Sequence, residues 1–357
     1  MAKEMGFAII GAGVICHTHA KEISEMEGAR LVAVADVSEE KARKFGEMYG
    51  VDWYRDYRDM LKREEVDIVN ICTPSGLHAE MAIDAARVGK HVIVEKPMDI
   101  TLEKADAMIE AFRKARKKLS VISQHRFDYA TQKVKREIAA GSLGRLVMAE
   151  AAVNWYRPQA YYDKDAWRGT WELDGGGSLM NQSIHTIDLL QYLMGPVESI
   201  FAQGGTLTHK RIEVEDVAVA TVKFKNGGVG SIVGTTSAYP GLTTRLELFG
   251  TEGSAVIEND RLTHFYLRAK EEGGRPVNLA RVGQPAGETG ASDPAAIPGR
   301  SHREQFIDMV RAIREDREPS VNGVEGRKPL EIILAIYRSI ETGRPVHLPL
   351  VAERGRR

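Results

Sequence analysis

Short apolar runs alternate with amphipathic stretches through the first third of the chain. Phe7–Ile10 is apolar and stops at a glycine, and Val14–Met26 follows as a helix. Leu31–Ala35 is a second apolar run closed by Asp36, after which Ser38 is placed to cap a charged helix that stops near Gly46 or Gly50. Val66–Ile71 predicts a third strand. It leads through Thr73-Pro74-Ser75-Gly76 into a helix with Met81, Ile83, Ala85 and Val88 apolar and Gly89 as its stop. His91–Val94 predicts another buried strand, Thr101 caps a helix to about Lys117, and Leu119–Ser123 returns as a strand. Continuous apolar strands between amphipathic helices require a parallel sheet covered on both faces, so residues 1–125 read as a doubly wound α/β domain.

The pattern then changes. A helix near Gln132–Ala139 precedes the strand Leu146–Val153, and Gly177–Met194 contains a helix. Strand-like runs follow without long helices between them: Glu198–Ala202, Val217–Phe224, Gly228–Thr235, Thr244–Phe249, Ser254–Ile257 and Leu262–Leu267. Turns such as Asn226-Gly227-Gly228 predict a mainly antiparallel sheet. Residues 271–300, rich in Gly, Ala, Pro and charge, read as a flexible loop, and Arg303–Arg314 and Leu330–Thr342 as closing helices. Residues 126–357 therefore read as an α+β domain with a mainly antiparallel sheet.

Composition narrows the function class. The 357 residues carry 49 Lys+Arg against 50 Asp+Glu, so there is no global electrostatic case for nucleic acid or an anionic membrane. No apolar run approaches the roughly 18 residues that span a bilayer. Cys16 and Cys72 make neither a disulfide framework nor a zinc ligand set, and the opening Met-Ala-Lys-Glu-Met has no signal-peptide core. A soluble, cytoplasmic enzyme is expected.

Gly11-Ala12-Gly13-Val14-Ile15-Cys16 lies between the first strand and helix, where backbone N–H groups meet a pyrophosphate at the positive end of the helix dipole. Asp36 follows Cys16 by 20 positions (36 − 16), the spacing at which a carboxylate accepts the adenosine ribose hydroxyls. That carboxylate repels a 2′-phosphate, Val37-Ser38 offers no arginine, and Arg43 is read on an exposed helix face, so NAD is expected over NADP. Cys16 stands at the third glycine position, which slightly relaxes packing there. His17 and His19 beside it are not read as metal ligands.

Two further clusters carry candidate chemistry. Lys96, in Glu95-Lys96-Pro97, ends a buried strand, where a lysine can bind a substrate hydroxyl and ease its deprotonation; the alternative is a solvated strand-end lysine. The Lys96–Pro97 bond is expected to be trans. After Gly175-Gly176-Gly177, Asn181, His185 and Asp188 are spaced by four and three, hence on one helix face. His185 can move a proton near neutral pH or be a core histidine, and Asp188 either orients it or pairs with an arginine.

In order, Gly11-Ala12-Gly13, Thr73-Pro74-x-x-x-His78, Glu95-Lys96-Pro97 and the Gly175–Asp188 segment resemble the glucose-fructose oxidoreductase / inositol dehydrogenase / MocA family over essentially the whole chain. The resemblance implies a Rossmann domain and an α+β domain whose open sheet serves dimers or tetramers. It implies nicotinamide-dependent oxidation of sugar-type alcohols, Lys96 as catalytic lysine and His185 as acid/base. It also places Gly11, Gly13, Val14, Ile15, Asp36, Thr73, Pro74, His78, Glu95 and Lys96 with the cofactor. Asn181 stands where many relatives have aspartate, and it can orient a hydroxyl but not ionise.

Trp155-Tyr156-Arg157-Pro158, Tyr161-Tyr162 and Trp167-Arg168-Gly169-Thr170-Trp171 combine aromatic faces for rings with arginines for carboxylate or phosphate. Arg157, Tyr161, Trp167 and Arg168 are thus substrate candidates, against a plain packing loop. Asp163, Asp165, Glu172, Asp174 and His302 are read as solvated. This segment with Met180–His185 is similar to family members that dehydrogenate UDP-linked N-acetylglucosaminuronic acid. Free sugars and inositols, a redox-neutral NAD-dependent glycosidase and an NAD-binding sugar sensor are the competing readings.

Overall fold

The computed structural model describes residues 4–272, 274–281 and 299–350. The chain opens with β1 (Met5–Ile10), α1 (Val14–Ser24), β2 (Ala29–Ala35), α2 (Glu39–Tyr49), β3 (Asp52–Tyr54) and α3 (Tyr57–Leu61). It continues through β4 (Ile68–Ile71), α4 (His78–Arg87), β5 (His91–Val94), α5 (Leu102–Ala115) and β6 (Leu119–Val121). These six strands pair in parallel in the order β3-β2-β1-β4-β5-β6, so the order reverses beside β1, where such sheets bind ligands. β1 and β4 are wholly buried, as covered parallel strands must be. Ser38 Oγ accepts the Lys41 N–H at 3.4 Å and Gly50 ends α2 in the left-handed region; Thr101 caps α5 in the same way as Ser38. β3 and α3 escaped the sequence reading because Asp52 and Trp53 are exposed and the segment has no apolar period.

The chain goes on with α6 (Tyr129–Ala139), β7 (Leu146–Asn154), α7 (Gln159–Asp163), a π-helical turn at Ser178–Ser183 and α8 (Ile184–Met194). Then come β8 (Val197–Gly205), β9 (Val217–Phe224), β10 (Val229–Thr235), β11 (Thr244–Gly250), β12 (Gly253–Glu258), β13 (Arg261–Leu267), α9 (Arg300–Arg314), α10 (Gly323–Thr342) and β14 (Val346–His347). The second sheet runs β13-β12-β11-β7-β10-β9-β8-β14, antiparallel except for β7 with β10. Along β9, Ala218, Ala220, Val222 and Phe224 point into the core while Val219, Thr221 and Lys223 point out, so one face is open. Of the loop expected over 271–300, residues 273 and 282–298 lie outside the described residues, and Leu279–Arg281 forms a single 3₁₀ turn. Among the described residues, no helix is long and apolar enough to cross a membrane.

The chain forms two compact units that interleave in sequence. One comprises Met1–Gln124, Glu172–Gly175 and Ile297–Arg327; the other comprises His125–Trp171, Gly176–Ala296 and Lys328–Arg357. Where the sequence divided once, at 125/126, the chain returns to the first unit twice more. The Gly76 N–H donates to the Leu173 carbonyl, and Ile100 fills the space where a Gly175 side chain would lie. α9 returns because its apolar face needs cover: Phe306, Met309 and Val310 join Phe7, Ile9, Ile23 and Met26 in one core. Burying Phe306 alone is worth about 2–3 kcal/mol. Gln305 adds polar order at the same place, accepting the Ser123 N–H and donating to Ser120 Oγ and the Val121 carbonyl.

Candidate active site

The first unit offers a dinucleotide cradle. Gly11 has φ +99°, and a side chain there would meet the Cys72 carbonyl oxygen at 2.7 Å, so the turn after β1 requires glycine. Among the described residues, a Cβ at Gly13, the residue before α1, would meet nothing within 4 Å, and no side chain caps the helix. The constraint on Gly13 is therefore not this chain's own packing; the open space over the helix start fits an incoming pyrophosphate. Asp36 Oδ2 accepts the Ala12 N–H and Oδ1 the Ser38 N–H, both at 2.8 Å, so the carboxylate at the end of β2 is fixed beside the turn. Arg43 pairs with Glu47 one helical turn away, on the exposed face expected for it. Cys16 is fully buried, its Sγ donates to the Gly13 carbonyl, and burial, reinforced by Asp36, pushes the thiol up to about 12. It fills the third position as an inert packing residue.

Behind the cradle lies a set of buried polar struts. His78 has Nδ1 2.8 Å from the Pro97 carbonyl oxygen and Nε2 2.9 Å from that of Thr73, joining the loop after β4 to the turn after β5. With its ring enclosed and both nitrogens engaged, His78 shapes the Thr73-Pro74 loop rather than presenting a free edge. Glu95 Oε1 lies 2.9 Å from His19 Nε2, and Oε2 accepts the Lys96 N–H at 3.1 Å. Burial opposes ionisation of Glu95, but the hydrogen bond and charge of His19, with His302 and Lys96, hold its carboxyl at about 2. His302 corrects its sequence reading. It is 1% exposed and packs 5.6 Å from the His19 ring, because α9 folds back into this core. Lys96 emerges half-buried from this braced turn, and its bond to Pro97 is cis rather than the expected trans.

The second unit carries the other cluster. Gly177 allows its backbone to lie where a Cβ would come 1.8 Å from the Glu215 carbonyl oxygen. Glu215 accepts the Gly177 N–H at 2.9 Å and the Leu179 N–H at 2.7 Å, bracing the π-helical turn; burial, against these bonds, raises its carboxyl to about 7. Asn181 lies in this π turn, while His185 and Asp188 follow in α8, three residues apart and hence on one side of that helix. Asn181 and His185 are half-buried, while Asp188 is buried and takes a bidentate pair from Arg126 at 2.6 and 2.7 Å. Of the two roles open to Asp188, the geometry shows the arginine pairing. His185, in the first turn of α8, packs nearly at right angles to His125 with centroids 5.1 Å apart.

The aromatic segment forms a ladder. The Arg157 guanidinium lies 4.9 Å from the Trp155 ring and 5.6 Å from Tyr161; that of Arg168 lies 4.4 Å from Tyr161 and 4.5 Å from Trp167. Arg157 is 2% exposed and donates to Gln182 Oε1 and the Tyr156 carbonyl, so it is an internal rung and not the anion contact expected of it. Gln182 also donates to Tyr161 Oη, and Arg168 donates to Tyr161 Oη and Asp165. Arg168, Tyr161 and Trp167 are half-buried, so their faces stay accessible. Of the acids read as solvated, Asp163 and Glu172 are exposed, Asp165 pairs with Arg168, and Asp174 is buried.

Sequence reasoning missed His125, Arg126, Asp128, Asp260 and Glu215. The available signals were Gln124-His125-Arg126-Phe127 directly after a strand and the adjacent acids Glu215-Asp216 before one. Among the described residues, His and carboxylate atoms gather within 4.8 Å in two places, His19–Glu95–His302 and His125–Asp128–Asp260. Both are hydrogen-bonded ion-pair clusters, and we assign no metal to either.

Comparisons with known proteins agree with this architecture. Residues 5–123 match the oxidoreductase family with an NAD-binding Rossmann fold, and residues 131–256 match the GFO/IDH/MocA C-terminal domain. The chain is 30% identical to inositol 2-dehydrogenase of Rhizobium meliloti, over 96% of this chain and 98% of that protein. It is also 30% identical to levoglucosan dehydrogenase of Pseudarthrobacter phenanthrenivorans, over 89% and 88%. The crystal structure of the WlbA dehydrogenase from Bordetella pertussis, in complex with NADH and UDP-GlcNAcA, superposes with a TM-score of 0.85 at 33% identity, covering 98% of this chain and 100% of that one. The glycine cradle, the braced lysine turn and the histidine helix thus stand in a chain that belongs to the GFO/IDH/MocA family of oxidoreductases with an NAD-binding Rossmann fold.

Proposed function

We propose that this protein is an NAD-dependent dehydrogenase that oxidises a secondary hydroxyl of a sugar-type substrate to a ketone, and that its substrate is an anionic nucleotide sugar of the UDP-N-acetylglucosaminuronate type, oxidised at C3. The observation that carries the reading is the accessible end of the ladder. Arg168 sits against both Tyr161 and Trp167, and Gln182 ties Tyr161 to the turn bearing Asn181. A guanidinium between aromatic faces binds an anion and a ring together. The likeness to WlbA, solved with UDP-GlcNAcA, supports the same substrate class.

Gly11, Gly13, Val14, Ile15 and Asp36 are the residues that hold the dinucleotide, with the Thr73-Pro74 loop, itself shaped by His78, beside them. NAD, when bound, supplies the hydride acceptor. Lys96 is the residue that binds a substrate hydroxyl and eases its deprotonation, and His185 is the acid/base residue. Asn181 hydrogen-bonds a substrate hydroxyl and orients the sugar, a role its un-ionised amide performs at any pH. The outward face of the second sheet, with Phe201 and Val219 exposed, supports self-association of the chain.

The test is NADH absorbance with NAD and a panel of nucleotide sugars, sugar acids, free sugars and inositols, with NADP and aryl glycosides alongside. NADH formation with UDP-linked uronates, lost tenfold or more in kcat/KM on Arg168→Ala, is the expected result. Turnover of inositol or free sugars alone overturns the nucleotide-sugar reading. Release of aglycone without net NADH, or NAD binding with silence throughout, overturns the dehydrogenase.

A further inference from the structure

His185 does not stand alone in the second unit. His125, on the 3₁₀ turn Gln124–Phe127, packs against it with centroids 5.1 Å apart and planes at 80°. The Nδ1 of His125 lies 2.7 Å from Asp128 Oδ2 and 3.2 Å from Asp260 Oδ1. Asp128 occupies the N-cap position of α6 without making a capping bond. Asp260 sits with Asn259 in the two-residue turn between β12 and β13, both at positive φ, which aims its carboxylate. One nitrogen facing two carboxylates must carry a proton, and the pair of anions favours a proton on the other nitrogen too.

We infer that His125 is a positioning residue for His185: an imidazolium, held by Asp128 and Asp260, that braces the His185 ring and keeps it in the proton-accepting form. The inference rests on the acid/base role proposed above for His185. A cation 5.1 Å away opposes a second positive charge, so His185 gives up its proton more readily and is ready to take the substrate's. The surroundings agree. Burial opposes the charge on His125, but Asp260, Asp128 and, beyond them, Asp188 raise the ring to about 9. Of the other charged groups on packed elements, Arg126 is turned to Asp188 and the Tyr192 ring. Lys133 donates to the Leu279 carbonyl and Lys135 to that of Tyr192. Beneath α8, Arg245 and Glu247 of β11 pair with each other, and Glu150 of β7 is exposed.

The test reads the histidines directly, on the full chain without substrate. Exchange of each imidazole C2 hydrogen for deuterium, followed by peptide mass spectrometry from pH 5 to 10, gives every histidine its own titration midpoint. In wild type, His125 is expected to stay protonated past pH 8. In His125→Gln the His185 midpoint is expected to rise by about one pH unit, and His125→Lys, which keeps a cation beside the carboxylates, restores it. An unchanged His185 midpoint in His125→Gln overturns the inference, as does an equal rise in His125→Lys, which would mark a steric role. Should His125→Gln not fold, a wild-type His125 that titrates at the ordinary imidazole value overturns it. Full turnover in His185→Asn would instead sink the acid/base role, with the titration shift still standing.

Discussion

The two units carry clusters of inverted stoichiometry. In the first, one carboxylate, Glu95, faces two imidazoles, His19 and His302, and all three are buried. In the second, one imidazole, His125, faces two carboxylates, Asp128 and Asp260, and all three are partly exposed. The first is driven to an anion whose second oxygen fixes the backbone of the Lys96 turn, with the carboxyl at about 2. The second is driven to a cation whose ring meets His185, with the imidazole at about 9. The same residue types thus make a strut in one place and a local charge in the other. The ratio of acids to bases, and what their spare atoms touch, decide which.

Four changes would break or sharpen this contrast. Lys96→Ala removes what the first cluster braces while leaving the cradle intact. Turnover is expected to fall 10²–10⁴-fold with NADH affinity unchanged by fluorescence titration; retained turnover would remove Lys96 from the chemistry. Glu95→Gln replaces the buried anion and is expected to cost about 2–4 kcal/mol in urea unfolding at pH 7. Because the folded carboxyl is held below its ordinary value of 4.5, its contribution is complete above that pH and is lost as pH falls towards about 2. The variant should therefore lack most of the wild-type acid loss between those values.

The opposite sign is expected for His125. Its folded value lies above 6.5, so its contribution is complete below 6.5 and disappears as pH rises through about 9. Wild type should lose stability over that alkaline window by up to about 3 kcal/mol relative to His125→Gln. Parallel stability curves for the two proteins would erase the contrast. The smallest effect is expected at Gly13→Ala. A methyl there meets none of the described residues within 4 Å, so the melting temperature should hold while NADH binding weakens about tenfold. A lower melting temperature with unaltered NADH affinity would mean that Gly13 serves packing after all.

Much of this was readable along the chain because it depends on neighbours in sequence. The largely apolar β1, β4 and β5, the Ser38 and Thr101 caps and the glycine turn before α1 are local devices whose geometry follows from a few consecutive residues. Asp36, Lys96 and His185 could be singled out because strand ends and turns place them. The π turn at Ser178–Ser183 could not, since it is selected by Glu215, more than thirty residues away, accepting backbone N–H groups.

Charge and exposure were decided elsewhere. His302 reads as a solvated helix-start residue until α9 folds against α1 and β1. Arg157 reads as an anion contact until Trp155, Tyr161 and Gln182 enclose it. His125 has only its place after a strand to mark it until the Asn259-Asp260 turn brings a second carboxylate to its nitrogen. Backbone conformation follows steric and hydrogen-bonding preferences that act over a few residues, and these are written in order along the chain. Protonation and accessibility follow electrostatics and burial, which depend on distance in space, so only the tertiary fold brings the deciding groups within range.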